Sequence, residues 1–267
     1  GLNVPAAAAL KQVVDVPVMV VGRITDPRFA EDILDRREAD MVVMGRALLA
    51  DPELPNKAKE GRFEDIAPCT SCGLGCLRTQ LTYEPMTCVI NPTVGREKEM
   101  AITPAAKLKK VLVAGGGPGG LEAARVAALR GHQVTLFEKQ AKLGGQLNLA
   151  AIPPMKQELS KWVIYLSTQV KKAGVKVELK KEATPELIEK MKPDVVIVAT
   201  GGECLIPPIP GVDGPKVITG HAVLTGKVAI SRGKVLIIGG GMVGCELADM
   251  LADPGYNQTT GSLPVTI

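Results

Sequence analysis

The sequence predicts an α/β fold built on parallel sheets, and two features indicate it. Short, continuously apolar segments such as 16–21, 111–114 and 194–199 are typical of strands buried on both faces of a parallel sheet. Segments of helical periodicity alternate with them along the chain. The 29 glycines and 20 prolines among the 267 residues supply the tight turns that this alternation needs.

The first 66 residues contain two consecutive strand–turn–helix units. Strands are predicted at 16–21 and 40–44, and helices at 4–14, 27–37 and 48–60. Each strand is followed by a Gly-Arg pair, and these pairs are Gly22-Arg23 and Gly45-Arg46. Equivalent residues at equivalent strand ends indicate a shared role at one edge of the sheet.

Four of the six cysteines lie in a connector, residues 67–107, that has no clear helical or strand period. They are Cys69, Cys72, Cys76 and Cys88. Their clustering favours reduced thiols that bind metal over disulfides. Three thiolates within eight residues and a distant fourth are suited to the corners of a 4Fe-4S cluster, and Gly73 and Gly75 leave backbone N–H groups free for its sulfurs. Zinc, which usually takes two separated pairs of ligands, and purely structural thiols are the alternatives.

A dinucleotide-binding fingerprint follows the connector. A strand at 111–114 runs into Gly115, Gly117 and Gly120, which open an Ala-rich helix. The first glycine makes the turn, the second admits a pyrophosphate, and the third lets helix and strand pack closely. Glu138 ends the next strand, where a carboxylate accepts ribose hydroxyls. The predicted contacts also include Pro118, Gly119 and Lys139. A glycine-rich turn without a ligand is the alternative.

The fingerprint recurs after a strand predicted at 234–238. Its glycines are Gly239, Gly241 and Gly244, with Met242 and Val243 at the start of a helix at 242–251. Two nucleotide sites in one chain suggest a flavin in one and a nicotinamide cofactor in the other. An acid at the end of the next strand would indicate NAD and a basic residue NADP. That position is expected just after Ile267, so the expected cofactor is NAD(P)H without a choice between the two.

Residues 109–267 resemble the two-dinucleotide flavoprotein reductases of the glutathione-reductase type. The resemblance implies that Glu138 holds the ribose of FAD, that Gly145 and Gln146 lie along its adenosine or pyrophosphate, and that Thr200-Gly201 lies near it. The redox cysteine pair of the disulfide reductases does not follow Gly144-Gly145 here. Electrons must therefore leave the FAD by another route, which the four-cysteine connector offers.

The two amino-terminal units resemble strands seven and eight of a (β/α)8 barrel, or TIM barrel, whose loops after these strands commonly bind phosphate. The resemblance implies that Gly22, Arg23, Gly45 and Arg46 bind the phosphate of FMN, with surface ion pairs as the alternative for the arginines. The predicted domains are a barrel end at 1–66, an iron–sulfur connector at 67–107, and a truncated Rossmann-like FAD/NAD(P) fold. That fold is divided into an FAD part at 108–227 and an NAD(P) part at 228–267.

This order of parts resembles the iron–sulfur flavoenzymes related to 2,4-dienoyl-CoA reductase, 2-enoate reductase and trimethylamine dehydrogenase, in the old-yellow-enzyme superfamily. The family implies electron flow from NAD(P)H to FAD, the 4Fe-4S cluster and FMN, which reduces an activated C=C bond of a small-molecule enoate or enoyl thioester. Its proton donors lie on barrel strands one to six, so no catalytic residue is assigned in this chain. The chain is interpreted as a carboxyl-side fragment that is inactive alone. The alternatives are an amine dehydrogenase of the same architecture and a non-enzymatic electron-transfer module.

Composition argues against several other classes. A net charge of +4 and 3% aromatic residues argue against nucleic-acid binding. No apolar run approaches the ~18 residues that cross a bilayer. The clustered thiols predict a reducing, cytoplasmic location, and the sequence predicts no oligomeric state. His132 and His221 are expected to be structural, and Cys204 and Cys245 to be buried thiols.

Overall fold

The computed structural model of the chain describes residues 1–230, 233–253 and 263–267. They form two compact units. The first contains Gly1–Leu108, Arg125–Gln133 and Ile164–Val175, and the second contains Lys109–Ala124, Val134–Val163 and Lys176–Ile267. Parallel strands alternate with helices in both, which confirms the α/β fold class.

The first unit begins with the two strand–helix units. The elements in order are α1 (Val4–Lys11), β1 (Met19–Val21), α2 (Pro27–Asp35), β2 (Met41–Val43), α3 (Gly45–Ala50), α4 (Leu54–Lys59) and a 3₁₀ turn (Phe63–Asp65). β1 and β2 pair in parallel, with Met19 opposite Met41. Val20, Ile24 and Ile33 are buried together in one core cluster. The apolar residues that predict these strands therefore also hold α2 against the sheet.

The single helix predicted at 48–60 is wrong, because the chain forms two helices, α3 and α4, that are separated at Asp51-Pro52. Asp51 has the extended backbone that residues before proline favour, with φ −147° and ψ 98°. Its buried carboxylate accepts hydrogen bonds from the backbone N–H of Ala67 at 2.8 Å and from Lys57 Nζ at 2.7 Å. The break between α3 and α4 is thus fixed by the hydrogen bonds to the Asp51 carboxylate as well as by the proline.

The four-cysteine connector is not all loop, since α5 (Cys76–Thr82) forms within it. The Thr79 hydroxyl donates to the carbonyl oxygen of Gly75 at 2.6 Å, at the start of this helix. Asn91 Nδ2 donates to the carbonyl oxygen of Leu49 at 3.0 Å. This bond ties the segment that follows Cys88 to α3, within the first unit.

A four-stranded sheet carries the first glycine fingerprint. The elements that build it are β3 (Lys110–Ala114), α6 (Pro118–Leu129), β4 (Gln133–Glu138), α7 (Leu147–Ala150), α8 (Glu158–Lys172), β5 (Lys176–Leu179), α9 (Pro185–Met191) and β6 (Val195–Val198). The strand order is β5-β4-β3-β6. Leu112 and Val113 of β3 are fully buried. The strand order reverses direction at β3, so the carboxyl ends of β3 and β6 flank the crevice in which open α/β sheets bind ligands.

The last described residues form a smaller strand–helix–strand unit. Its elements are α10 (Gly220–Leu224), β7 (Val235–Leu236), α11 (Met242–Ala252) and β8 (Val265–Thr266). β7 and β8 pair in parallel, with Val235 opposite Val265. Val223, Leu247 and Leu251 are buried between them and the helices. β7 is shorter than the strand predicted at 234–238, and β8 confirms the strand expected at the end of the sequence.

No helix among the described residues is long and apolar enough to cross a membrane.

Candidate functional site

The first glycine fingerprint forms a strand–turn–helix junction in which backbone atoms pack closely against two of the three glycines. Gly115, directly after β3, has a φ of 112°, and a Cβ there would overlap the carbonyl oxygen of Ala199. A Cβ on Gly120 would overlap the carbonyl oxygen of Gly115. A Cβ on Gly117, in contrast, would have no other atom within 4 Å. Two of the glycines are therefore required by the fold itself, and the third leaves its side of the loop open to a ligand.

The Glu138 carboxylate is buried at the carboxyl end of β4, beside this loop. Its Oε2 accepts a hydrogen bond from the Gly116 N–H at 2.7 Å, and its Oε1 accepts one from the Gln140 N–H at 2.7 Å. An ionised carboxylate can accept about four hydrogen bonds, so about two acceptor positions are left for ligand hydroxyls. The neighbouring Lys139 is exposed.

A second loop lies on the fingerprint. The Gly144 N–H donates to the carbonyl oxygen of Gly116 at 2.8 Å. A Cβ on Gly145 would lie 3.0 Å from the Cα of Gly117. Gln146 Nε2 donates to the carbonyl oxygen of Gly202, just after Thr200-Gly201. The residues predicted to contact FAD thus meet at the carboxyl ends of three neighbouring strands, β4, β3 and β6.

The second fingerprint repeats the backbone geometry of the first. Gly239 has a φ of 113°, and a Cβ on Gly244 would overlap the carbonyl oxygen of Gly239. A Cβ on Gly241 would again have no other atom within 4 Å. Met242 and Val243, at the start of α11, are exposed. The second position is therefore open and the third is closed in both glycine loops, whereas the first is closed only at Gly115, since a Cβ on Gly239 would meet no described atom within 4 Å.

The two Gly-Arg pairs follow neighbouring parallel strands and lie at the same sheet edge. A Cβ on Gly22 would lie 2.8 Å from Asn3 Nδ2, and the φ of Gly22 is 136°. Arg23 also has a positive φ, of 53°, which is uncommon for a residue other than glycine and is typical of functional loops. Arg46 lies in the first turn of α3, where it lines the pocket formed by the connector.

That pocket brings the four predicted ligands together. Its volume is about 310 Å³, part of it open to solvent, and its lining is Arg46, Leu49, Cys69, Thr70, Ser71, Cys72, Gly73, Gly75, Cys76, Cys88, Val89 and Ile90. A Cβ on Gly75 would overlap the carbonyl oxygen of Thr87, so glycine permits the close approach of the two cysteine-bearing segments. Within the described ranges, no three His, Cys, Asp or Glu side chains are grouped so as to hold a single metal ion.

The electrostatics of the pocket distinguish Cys69. Burial raises the pKa of its thiol, while the Ser71 N–H and the positive charge of Arg46 act in the opposite direction. Thiols bind metals as thiolates, so binding of a metal by Cys69 would release its proton.

Two features have no sequence signal. Thr70 is buried in the cysteine pocket, and its Oγ1 has no hydrogen-bond partner among the described residues. His221 lies in α10, and its Nδ1 lies 2.6 Å from Cys204 Sγ. The expectation that Cys204 and Cys245 are buried is wrong, because both are exposed. The prediction failed because it relied on neighbouring apolar residues, which the structure does not fold over these thiols.

Two strand–glycine–helix units, each with a first glycine of positive φ, an open second position and a closed third position, define a protein of the dinucleotide-binding α/β class. The chain belongs to the pyridine nucleotide-disulphide oxidoreductase family, which residues 109–260 match. Residues 4–65 match the NADH:flavin oxidoreductase / NADH oxidase family. Both matched families are oxidoreductases, one named for pyridine nucleotide and the other for NADH and flavin, as the sequence predicts.

Known proteins resemble the chain along almost all of its length. It is 44% identical over 264 residues to an NADH oxidase of Thermoanaerobacter brockii, which covers 97% of this chain and 41% of the relative. It is 41% identical over 259 residues to a cinnamate reductase of Clostridium sporogenes, covering 97% and 38%. A solved structure of 2-naphthoyl-CoA reductase with 2-naphthoyl-CoA matches with a TM-score of 0.90 and 37% identity, covering 99% and 40%. The chain thus spans about two fifths of the length of these proteins.

Proposed function

We propose that this chain is the carboxyl-side part of an NAD(P)H-dependent reductase that uses FAD, a 4Fe-4S cluster and FMN to reduce activated C=C bonds. The observation that carries this proposal is the cysteine pocket, which all four connector cysteines line together with Arg46 of the barrel-like segment. A dinucleotide fold without a redox cysteine pair needs an acceptor for its electrons, and this pocket is the candidate for it. The relatives named for cinnamate and 2-naphthoyl-CoA support an enoate or enoyl thioester as the substrate.

The residues of the pocket fit a cluster of iron and sulfur. Among the described residues that line it, the side chains of metal-binding type are the four thiols, and thiolates are the ligands that iron–sulfur clusters and zinc prefer. Apolar Leu49, Val89 and Ile90 also line the pocket. The positive charge of Arg46 partly offsets the negative charge that four thiolates bring. Cys69, Cys72, Cys76 and Cys88 are therefore the proposed ligands.

The first fingerprint is the proposed FAD site. Gly117 leaves room for the pyrophosphate, and the N–H groups at the start of α6, next to Pro118, Gly119 and Gly120, stabilise its charge. Glu138 has acceptor capacity left for the ribose hydroxyls. The remaining sides of the proposed FAD site are formed by the loop at Gly145 and Gln146 and by the turn at Thr200-Gly201.

The second fingerprint is the proposed NAD(P)H site, at Gly239, Gly241, Met242, Val243 and Gly244. Its support is the repeated pattern of a first glycine with positive φ, an open second position and a closed third position. An intact nicotinamide site favours an NAD(P)H-driven reductase over the amine dehydrogenase alternative, in which electrons enter at FMN. It also favours an enzyme over a passive electron-transfer module.

The barrel-like segment supplies the proposed FMN phosphate site. Gly22, Arg23, Gly45 and Arg46 lie at one sheet edge, and guanidinium groups bind phosphate in a bidentate manner. Met19, Val21, Met41 and Val43 are exposed on these strands, as expected if the remaining strands of a barrel cover them. We propose that those strands carry the proton donor, so no residue of this chain is assigned as catalytic. The proposed domain boundaries remain 1–66, 67–107, 108–227 and 228–267.

The bound groups would supply the electron transfer: NAD(P)H is oxidised to NAD(P)⁺, and the C=C bond gains two hydrogens. The residues of this chain bind these groups and hold them in place. Reduced thiols are needed at the pocket, which supports a reducing compartment, and we place the protein in the cytoplasm.

The test is to purify the full chain anaerobically and to quantify iron, sulfide, FAD and FMN. Because the proposed proton donor lies outside this chain, NADH and cinnamate are then added to the full-length enzyme that contains it, and formation of the saturated acid is measured. About four irons per chain and NADH-dependent product support the proposal. Stoichiometric zinc without iron would overturn the cluster assignment, and amine-dependent dye reduction without NADH oxidation would favour the amine dehydrogenase.

A further inference from the structure

Thr70 is a buried polar residue with an unmet hydrogen-bonding requirement. It lies between Cys69 and Ser71 in the sequence and is only 8% exposed. Its Oγ1 has no hydrogen-bond partner within residues 1–230, 233–253 and 263–267. Buried hydroxyls are almost always paired, so an unpaired one in a pocket indicates a partner that the pocket itself is built to hold.

The pocket restricts what that partner can be. Thr70 shares the lining with all four connector cysteines; the Ser71 hydroxyl also lines the pocket but is not bonded to Thr70, and the Arg46 guanidinium cannot accept a hydrogen bond. The acceptors that a bound cluster would bring to this space are sulfurs, either its sulfides or the cysteine thiolates.

Thr79 is a second buried threonine of the connector, and its hydroxyl does have a hydrogen-bond partner. It is as buried as Thr70 and lies on α5, next to the same pocket. Its Oγ1 donates to the carbonyl oxygen of Gly75 at 2.6 Å. The lack of a partner at Thr70 is therefore specific to that position and is not a general property of buried threonines in the connector.

We propose that the Thr70 hydroxyl donates a hydrogen bond to a sulfur of the 4Fe-4S cluster and thereby raises the reduction potential of the cluster. This inference rests on the proposed function. Reduction adds negative charge to the sulfurs, so a donor stabilises the reduced state more than the oxidised state. Thr70 tunes the cluster through this bond and does not touch the substrate.

The experiment is a redox titration of the anaerobically reconstituted full chain, followed by electron paramagnetic resonance of the reduced cluster. Thr70→Val keeps the shape and removes the donor, and we expect its cluster to be harder to reduce. At the midpoint potential of the unmodified protein, the ratio of reduced to oxidised cluster should fall severalfold, where tenfold corresponds to about 59 mV. Thr70→Ser keeps the hydroxyl and should restore most of the ratio. Thr79→Val, the matched control, should leave the ratio unchanged.

A second measurement covers the case in which Thr70→Val fails to hold the cluster. The measurement is again electron paramagnetic resonance of the reduced cluster. Brief exposure of the unmodified protein to D₂O should replace a hydroxyl proton that couples magnetically to the cluster, so the coupling of that proton should disappear from the spectrum. Thr70→Ser should show the same replacement.

The outcomes separate the two proposals. Absence of iron in the unmodified protein overturns the proposed function. Four irons with an unchanged potential in Thr70→Val, or a cluster without the exchangeable coupling, overturns the role of Thr70 alone.

Discussion

The Lys172 ammonium donates a hydrogen bond to Asp65 Oδ1 at 2.7 Å and so joins two segments that lie 107 residues apart in the sequence. Asp65 ends the 3₁₀ turn after the barrel-like segment, and Lys172 ends α8. Gln169 Nε2 donates to the same oxygen at 2.9 Å. Within the first unit, one carboxylate therefore connects the segment before the cysteines to the end of α8.

This contact predicts an acid-sensitive contribution to stability. The hydrogen bond from Lys172 lowers the pKa of Asp65, and burial opposes it. A carboxyl with a lowered pKa stabilises the fold fully above the unfolded value of about 3.9, and this contribution is lost as the pH falls through the folded pKa. Asp65→Asn keeps an acceptor but removes the charge. Its deficit in the free energy of unfolding, measured by denaturant titration, should be present at pH 7 and shrink below about pH 4. A deficit that stays constant down to pH 2 would contradict this role.

Glu138 is predicted to matter for flavin binding. Glu138→Ala should weaken FAD binding by roughly 1.5–3 kcal/mol, which is roughly 10- to 150-fold in Kd, because charge-type hydrogen bonds to ribose hydroxyls are lost. Titration of the apoprotein with FAD, followed by flavin fluorescence, measures the change. Glu138→Gln keeps the shape of the side chain and one acceptor oxygen, so its loss should be smaller. Equal affinity in all three proteins would show that the first fingerprint is not the FAD site.

The glycines of the first fingerprint should separate into two kinds. Gly120→Ala places a Cβ against the carbonyl oxygen of Gly115 and should destabilise the ligand-free protein by about 3 kcal/mol. Gly117→Val meets open space, so the ligand-free stability should change little while FAD binding is lost. Thermal unfolding without FAD and FAD titration together test this contrast. If Gly117→Val retains FAD at unmodified affinity, the pyrophosphate does not pass over this glycine.

Sequence reasoning succeeded at the glycine loops because their requirements are local. A strand, three glycines and a helix follow one another, and the tight packing of Gly115 against Gly120 is a property of that short segment. The parallel pairing of β1 with β2 was also accessible, because two consecutive apolar strands joined through a helix form a parallel βαβ unit.

Other features depend on contacts between distant residues, and sequence reasoning missed them. The helix predicted at 48–60 followed apolar periodicity and gave too little weight to Pro52, whose preceding Asp51 binds the N–H of Ala67, 16 residues away. The contact of Cys204 with His221 requires the chain to return over 17 residues without a periodic signal. The burial of Thr70 depends on how the segments around Cys69 and Cys88 close on each other.

The last prediction concerns the connector. Cys72→Ala should remove the cluster, because each of the four irons of a cubane needs a thiolate ligand. Iron should therefore fall from about four per chain to near zero after anaerobic reconstitution. FAD binding should be largely retained, since residues 109–260 match a family on their own and Cys72 lies outside them. Cys204→Ala removes an exposed thiol outside the pocket and serves as the control for adventitious iron, so its iron content should stay at four. Iron and sulfide analysis, visible absorption and FAD titration of the three proteins measure these changes together. Retention of four irons in Cys72→Ala, or an equal loss in Cys204→Ala, would contradict the ligand set, because the effect would then not depend on the cysteines that line the pocket.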